Sequence, residues 1–306
     1  MEYVIFGAGG TGCAIGFYLT KAGKDVTMIA RGDNLRALKE DGLEIRHLWN
    51  TTKETLPIQA VSEENYEGTP DVIFICVKGY SIESVLPFLK KHAGPETVII
   101  PILNIYGTGG ALQRKLPGYY VLDGCIYVSA SRIAPGVLVQ HGPILRVVFG
   151  PRKDQEVRSI LPEIEKDITV DGIQGILSQN IERDCLEKFS YVSPIGAAGL
   201  YYHATAGDFQ REGKERDLFR SMIQEIQALA SAMGFPFEKD YVEVNLRILS
   251  GLSPDADTSM QRDVASGHRS EIDGLVHQVV RLGEQYHVNP PMYKMVDEEL
   301  KRRGIN

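Results

Sequence analysis

Gly7-Ala8-Gly9-Gly10-Thr11-Gly12 spells G-x-G-x-x-G between an apolar run, Tyr3 to Phe6, and a helix-like stretch, Cys13 to Ala22. Glycines at this spacing can bind a dinucleotide diphosphate. Gly7 permits the tight turn, Gly9 lets backbone approach the pyrophosphate, and Gly12 lets helix and strand pack closely. The diphosphate then meets free N–H groups at a helix N-terminus, where the helix dipole favours negative charge. Val26 to Ala30 completes a strand-turn-helix-strand unit of about thirty residues, the context that makes so short a motif informative. A merely structural glycine turn is the plainer alternative. The second strand ends Ile29-Ala30-Arg31-Gly32, with no acid before Asp33. A site for NAD usually has a carboxylate there for the ribose hydroxyl, whereas a guanidinium suits a 2′-phosphate. Arg31 therefore points to NADP(H), against the bland reading of a solvated loop cation.

Three further residues have chemistry to offer. Lys188, in Ile181 to Ser190, is of a type that protonates a carbonyl oxygen as hydride reaches carbon, once desolvation and neighbouring charge tune it. Taken by itself it reads as a solvated lysine on a helix face. Ser259 and Glu271 lie in the polar stretch Asp257 to Asp273. Ser270 as the cap of a helix with Glu271 and Asp273 in its first turn explains that stretch structurally. His268 is the side chain best suited to proton transfer near pH 7, yet nothing around it supports that role and we assign it to the surface. The four cysteines, Cys13, Cys76, Cys125 and Cys185, form no C-x-x-C. They read as free, mostly buried thiols, Cys13 as packing, and zinc is not expected.

Around these groups the chain reads as alternating strands and helices. Asn34 to Asp41 reads as a helix closed by Gly42, and Leu43 to Val61 as strands with a turn near Asn50-Thr51. Asp71 to Val77 is a buried strand ending in Lys78-Gly79. Ser81 to Ala93 reads as a helix with Ser81 as N-cap. Thr97 to Leu103 is a strand leading into Asn104-Ile105-Tyr106-Gly107, Ala111 to Leu116 is helical, and Tyr120 to Phe149 is strand-rich. Strands alternating with helices predict a parallel, doubly wound sheet, in which ligands bind beyond the carboxyl ends of the strands. Gly7, Arg31, Lys78 and Asn104 all follow such ends. From about Asn180 the texture turns helical: Ile181 to Ser190, Arg216 to Met233, Tyr241 to Leu249, Glu271 to Tyr286 and Met292 to Arg302, with stops at Gly234 and Pro290-Pro291. The expectation is an α/β fold with a Rossmann domain over residues 1–178 and an all-α domain over 179–306, a substrate lying in the cleft between them.

The composition, 43% hydrophobic and 24% charged over 306 residues, is that of a soluble globule of two domains. A formal net charge of -7 argues against nucleic acid and against an anionic membrane surface as partners. No apolar stretch reaches the length of a membrane span, and Met1-Glu2-Tyr3 enters a strand directly, so a cytoplasmic location is expected. The last helices suit a homodimer and a monomer equally.

These residues resemble the ketopantoate reductase (2-dehydropantoate 2-reductase) family over essentially the whole chain. The resemblance rests on Gly7 to Gly12, Arg31, Val77-Lys78, Asn104-x-x-Gly107, Lys188, and Ser259-Met260-Gln261-x-Asp263 through Ser270-Glu271-Ile272-Asp273. It implies a Rossmann domain followed by a helical domain of the 6-phosphogluconate dehydrogenase type. It further implies Lys188 as proton donor to the keto oxygen of a small 2-keto acid, with Glu271 as its acidic partner. Ser259 and Asn104 would hold the substrate, and Lys78, Arg31 and Asn104 would face the cofactor. The chain departs from the family's pattern where asparagines commonly follow the lysine by four and eight residues. Here Val192 and Gly196 stand there, Leu186 replaces a tryptophan, and Ile105 a frequent glycine. Without those amides a site discriminates poorly for a hydroxylated substrate. Two other readings follow: a reductase of a more apolar substrate, or an NADP(H)-binding regulatory protein without catalysis. Ser190 or Ser193 is a candidate to replace the missing amides.

Overall fold

The opening apolar run forms β1 (Glu2–Phe6), buried from Tyr3 onward. In this computed structural model, residues 1–305 are described. Internal contacts divide the chain into two units, Met1–Leu103 with Gly107–Ile181, and Asn104–Tyr106 with the chain from Glu182 onward.

In the first unit β1 is followed by α1 (Gly10–Lys21), β2 (Asp25–Ile29) and α2 (Gly32–Glu40). Next come β3 (Leu43–His47), β4 (Thr52–Leu56), β5 (Ala60–Val61), β6 (Val72–Ile75), α3 (Leu86–His92), β7 (Val98–Pro101) and α4 (Thr108–Lys115). The unit closes with β8 (Tyr120–Val121), β9 (Asp123–Ala134), β10 (Val137–Gly150), α5 (Ile160–Ile168) and β11 (Gln174–Leu177). Six strands form an all-parallel sheet in the order β5-β2-β1-β6-β7-β8. The strand order reverses at β1, the switch point where doubly wound sheets bind ligands.

A second, five-stranded sheet is not part of the doubly wound pattern. It runs β11-β10-β3-β4, with β9 on β10. The long β9–β10 hairpin is antiparallel, and β3 joins β10 in parallel at Glu44↔Val137. Helix α1 lies against strands of both sheets, so its residues Gly12 to Leu19 are all buried. A helix covered on two sides has no polar face to show, which is why Cys13 to Leu19 carries no charge.

One predicted helix is corrected. Ser81 is not an N-cap: Gly79–Val85 is a 3₁₀ turn, and the α-helix starts at Leu86 with Pro87 in its first turn. An α-helix running from Ser81 would put Pro87 in its interior, where the missing N–H and the ring's clash with the carbonyl four residues back forbid it.

The second unit is helical: α6 (Ile181–Tyr202), α7 (Ala206–Gln210), α8 (Lys214–Ala232), α9 (Tyr241–Ser250) and α10 (Ser259–Ala265), then a π-helical turn over Asp273–His277, α11 (Gln278–Gln285) and α12 (Pro291–Arg302). Its core is built from Phe189, Phe219, Ile223, Ile226, Val276 and Tyr293, all nearly inaccessible. The predicted helix over Ile181 to Ser190 is also corrected, because α6 continues through Pro194 to Tyr202. Pro194 cannot donate to the Ser190 carbonyl, and such a loss normally breaks a helix. Here the Asn245 amide of α9, itself 1% exposed, donates to that carbonyl at 3.0 Å and to Ser190 Oγ at 3.0 Å. No helix among the described residues is long and apolar enough to cross a membrane.

Candidate active site

The glycine loop runs from the end of β1 to the start of α1, and each glycine answers a different constraint. Gly7 has φ 108°, and a Cβ there would press on the Cys76 backbone at 3.0 Å. A Cβ on Gly12 would lie 2.0 Å from the Gly7 carbonyl oxygen, so the α1–β1 packing requires glycine. A Cβ on Gly9 would meet nothing within 4 Å. No neighbour within the protein therefore demands glycine at that position, and the open space in front of the loop is what a phosphate needs. The first N–H groups of α1 have no acceptor within the helix. The loop thus fits a dinucleotide diphosphate in shape and in polarity. Gly10 packs against the hairpin, where a Cβ would sit 2.8 Å from the Ala130 carbonyl oxygen. Asn34, buried in α2, ties loop to hairpin: its amide donates to the Ala8 carbonyl at 3.1 Å and accepts from Gly136 N–H at 2.9 Å. Sequence reading passed over Asn34, although its place just after Arg31-Gly32-Asp33 is a signal for it.

Arg31 and Lys78 follow β2 and β6, the two strands flanking β1. Arg31 is exposed and precedes the first residue of α2. Asp33, the first acid after β2, pairs with Arg36 at 3.0 Å. Lys78 is half-buried and precedes the 3₁₀ turn. Cys13 is a free thiol buried in the core of the first unit. Burial pushes its thiol up to about 12, and the positive charge of Arg132 offsets only part of that.

In the second unit Lys188 sits on α6, half-buried, and its ammonium donates to Asn104 Oδ1 at 2.7 Å. These residues are 84 positions apart in sequence. Asn104 belongs to a three-residue excursion, Asn104–Tyr106, that packs with the helical unit. Ile105 fills the space above Gly274, where a Cβ would come within 2.4 Å of its Cδ1. Gln278 Nε2 donates to the Tyr106 carbonyl at 3.0 Å, and the Tyr106 and Phe189 rings lie 6.4 Å apart. Gly274 and Gln278 were missed in sequence, although a glycine inside an apolar helical run is a recognised mark of close approach.

Ser259 is the first residue of α10 and half-buried. The helix is capped not by it but by Thr258, which forms a capping box with Gln261. Glu271 is 6% exposed, and its carbonyl accepts from Leu275 N–H at 3.0 Å. Ser270 does not cap that helix: Ile272 stands at the cap position and no side chain caps it. His268 is exposed.

Val192 and Gly196 stand one and two turns beyond Lys188 on the same face of α6. Gly196 packs under Met260, whose Cε would lie 2.8 Å from a Cβ placed there. Neither serine replaces the missing amides. Ser190 Oγ donates to the Glu187 carbonyl at 2.6 Å and accepts from Asn245, while Ser193 Oγ donates to the Leu275 carbonyl at 2.5 Å. Both are wholly buried.

A parallel Rossmann-type sheet with a glycine loop at its switch point, followed by an all-helical unit, is the two-part architecture of a dinucleotide-binding protein. The family model for ketopantoate reductase PanE/ApbA matches residues 3–154, and that for its C-terminal part matches residues 180–303. The chain belongs to the ketopantoate reductase family, oxidoreductases acting on CH–OH groups. It is 25% identical to 2-dehydropantoate 2-reductase from Aquifex aeolicus over 311 residues, covering 100% of this chain and 97% of that one. The crystal structure of 2-dehydropantoate 2-reductase from Methylococcus capsulatus, 24% identical, superposes with a TM-score of 0.87 over 100% of this chain and 97% of that one. The ternary structure of D-mandelate dehydrogenase with NADH and anilino(oxo)acetate, 19% identical, does so with a TM-score of 0.86 over 97% and 96%. These two likenesses carry the fold alone.

Proposed function

We propose that this protein is a cytoplasmic, NADPH-dependent reductase that converts a small 2-keto acid to the 2-hydroxy acid, as in the reduction of ketopantoate to pantoate for pantothenate biosynthesis. The observation that carries the reading is the Lys188 ammonium held by Asn104 Oδ1 at 2.7 Å. An ammonium is a donor only, and one bonded to a fixed acceptor is oriented for donation to a carbonyl oxygen. Gly7, Ala8, Gly9, Gly10, Thr11 and Gly12 would hold the diphosphate. Arg31 would hold the 2′-phosphate, with Lys78 and Asn104 also facing the cofactor. Arg31 is exposed while Asp33 is engaged by Arg36, which favours NADP(H) over NAD(H). When bound, the nicotinamide supplies hydride. Lys188 Nζ neutralises charge developing on the keto oxygen and gives up its proton there. Ser259 receives the substrate carboxylate side, and the buried Glu271 is the acidic partner.

Lys188→Ala should lower turnover by about 10²- to 10⁴-fold and leave NADPH binding intact. Unchanged turnover with a 2-keto acid that the parent protein reduces would end the assignment. Tight NADPH binding with no turnover on any 2-keto acid would instead favour a regulatory, non-catalytic protein.

A second reading within the same chemistry rests on Val192 and Gly196. The α6 face beyond Lys188 has no amide, Met260 closes over Gly196, and Ser190 and Ser193 are spent elsewhere. Ile105 and Tyr106 add apolar surface beside Asn104. This face suits a substrate with an apolar side group better than a hydroxylated one. Comparing kcat/KM for ketopantoate, 2-ketoisovalerate and phenylglyoxylate decides between the two.

A further inference from the structure

The chain between β7 and α4 leaves the first unit for three residues only, Asn104–Tyr106, and returns through Gly107, whose φ of 75° is of the left-handed kind. Three features of the π-helical turn and its continuation hold this excursion. Gly274 leaves room for Ile105, whose Cδ1, Cγ1 and Cγ2 would be 2.4, 2.6 and 2.9 Å from a Cβ at that position. Gln278, the first residue of α11, donates to the Tyr106 carbonyl at 3.0 Å. The turn itself is wide because a π-helix carries one more residue per hydrogen-bonded ring than an α-helix, and such turns concentrate at functional sites.

The π-turn is anchored from its far side. Ser193 Oγ of α6 donates to the Leu275 carbonyl at 2.5 Å, and Ser193 is also bonded to Tyr293 of α12. His277 is bonded to Asp297 of α12, and Lys301 donates to the same carboxylate at 2.7 Å. The π-turn is thus fixed to α6 and α12 on one side and holds Asn104–Tyr106 on the other. Asn104 in turn holds the Lys188 ammonium.

Gln278 does not look like a satisfied core amide. Its Oε1 is buried without a hydrogen-bond partner among the described residues, and burying an unpaired acceptor costs stability. A residue selected for packing alone would be apolar there.

We propose that Gln278, with Gly274, is a positioning residue for the reaction: through the Tyr106 carbonyl and Ile105 it fixes Asn104, and through Asn104 it aims the Lys188 ammonium. This inference rests on the reading of Lys188 as proton donor. Gln278→Met keeps the side chain's length, removes the donor to Tyr106 and removes the unpaired buried acceptor. It should lower kcat by roughly ten- to a hundredfold, the cost of an ångström-scale misplacement of a reacting group. NADPH affinity should stay within about twofold, and the melting temperature should change little, because losing the unpaired Oε1 offsets the Tyr106 carbonyl left without its donor.

The discriminating readout is a double-mutant cycle. Once Asn104→Ala has cut the link to Lys188, adding Gln278→Met should change kcat by less than about twofold, because coupled residues do not add. Gly274→Ala, which pushes a methyl into Ile105, should behave like Gln278→Met in the same cycle and is the second route if one variant folds poorly. Full additivity in the cycle, or an unchanged kcat in both single variants, overturns the positioning role. If Lys188→Ala lowers turnover while Asn104→Ala does not, the proton donor stands and this inference falls. If Lys188→Ala has no effect, the underlying reading falls.

Discussion

Gly9 and Gly12 are three residues apart in one loop, and alanine at each should fail in a different way. At Gly12 the new Cβ would lie 2.0 Å from the Gly7 carbonyl oxygen, 3.1 Å from Ile5 Cγ2 and 3.2 Å from Cys76 Cβ, whereas an ordinary contact starts near 3.4 Å. The closest neighbour is backbone of the same loop, and the other two are buried core side chains. The helix start must therefore retreat by more than an ångström. Overpacking of this kind costs about 1–3 kcal/mol, which for a domain of this size lowers the melting temperature by roughly 3–10 °C. At Gly9 a Cβ would meet nothing within 4 Å, and the residue has the extended backbone of a helix cap. Gly9→Ala should cost no more than about 1 kcal/mol, the loss of a good N-cap residue. Its methyl would stand where the diphosphate must approach, so NADPH affinity should fall at least about tenfold, roughly 1.4 kcal/mol. Urea denaturation gives the stabilities, and the fluorescence change of NADPH on titration gives the affinities. A Gly9→Ala protein that binds NADPH like the parent would refute the placement of the diphosphate on this loop, whatever happens at Gly12.

Other consequences can be checked with the same assays. Arg31→Ala should weaken NADPH by about tenfold or more, the worth of a charge-assisted phosphate contact, and leave NADH unchanged; equal losses would show that Arg31 does not read the 2′-phosphate. Val192→Asn puts an amide one turn beyond Lys188 and should raise kcat/KM for ketopantoate relative to 2-ketoisovalerate. A ratio that does not move would show that position 192 does not face the substrate's side group. Burial holds the Glu187 carboxyl above its ordinary range, with the Tyr241 hydroxyl offsetting part of the shift. A native pKa raised above the unfolded value makes this carboxylate cost stability as pH climbs from the ordinary range through the native value. Glu187→Gln keeps an acceptor for Tyr241, so the variant should be more stable than its parent at pH 7, with the gap closing near pH 4. Denaturation midpoints at the two pH values that keep a constant gap would contradict the sign.

Much of the fold was legible because its signals are local. Tyr3 to Phe6, the glycine loop and Val26 to Ala30 announce a parallel unit through apolar runs and turn chemistry that need no distant partner. Apart from the start of α3, the errors fall where a distant partner decides. Pro87 delays α3 through its own ring, a signal present in sequence and underweighted. Pro194 reads as a helix end by every local rule, yet α6 passes through it because Asn245, 55 residues away from Ser190, satisfies the carbonyl that Pro194 leaves without a donor. The second sheet was likewise hidden, since its joining of β3 to β10 pairs Glu44 with Val137.

The chemistry available to this protein is written in its residue types. A glycine loop of diphosphate-binding spacing, a cation at the end of the second strand, and a lysine without its usual amides are matters of residue type and short spacing, legible locally. Which of those groups meet depends on how distant segments pack. Lys188 acquires a fixed acceptor because three residues after β7 pack with the helical unit. They stay there because Gly274 leaves space for Ile105 and Gln278 holds the Tyr106 carbonyl. The difference is one of range: a backbone turn is set by its own atoms, whereas the aim of a flexible ammonium is set by whatever acceptor the folded chain brings to it.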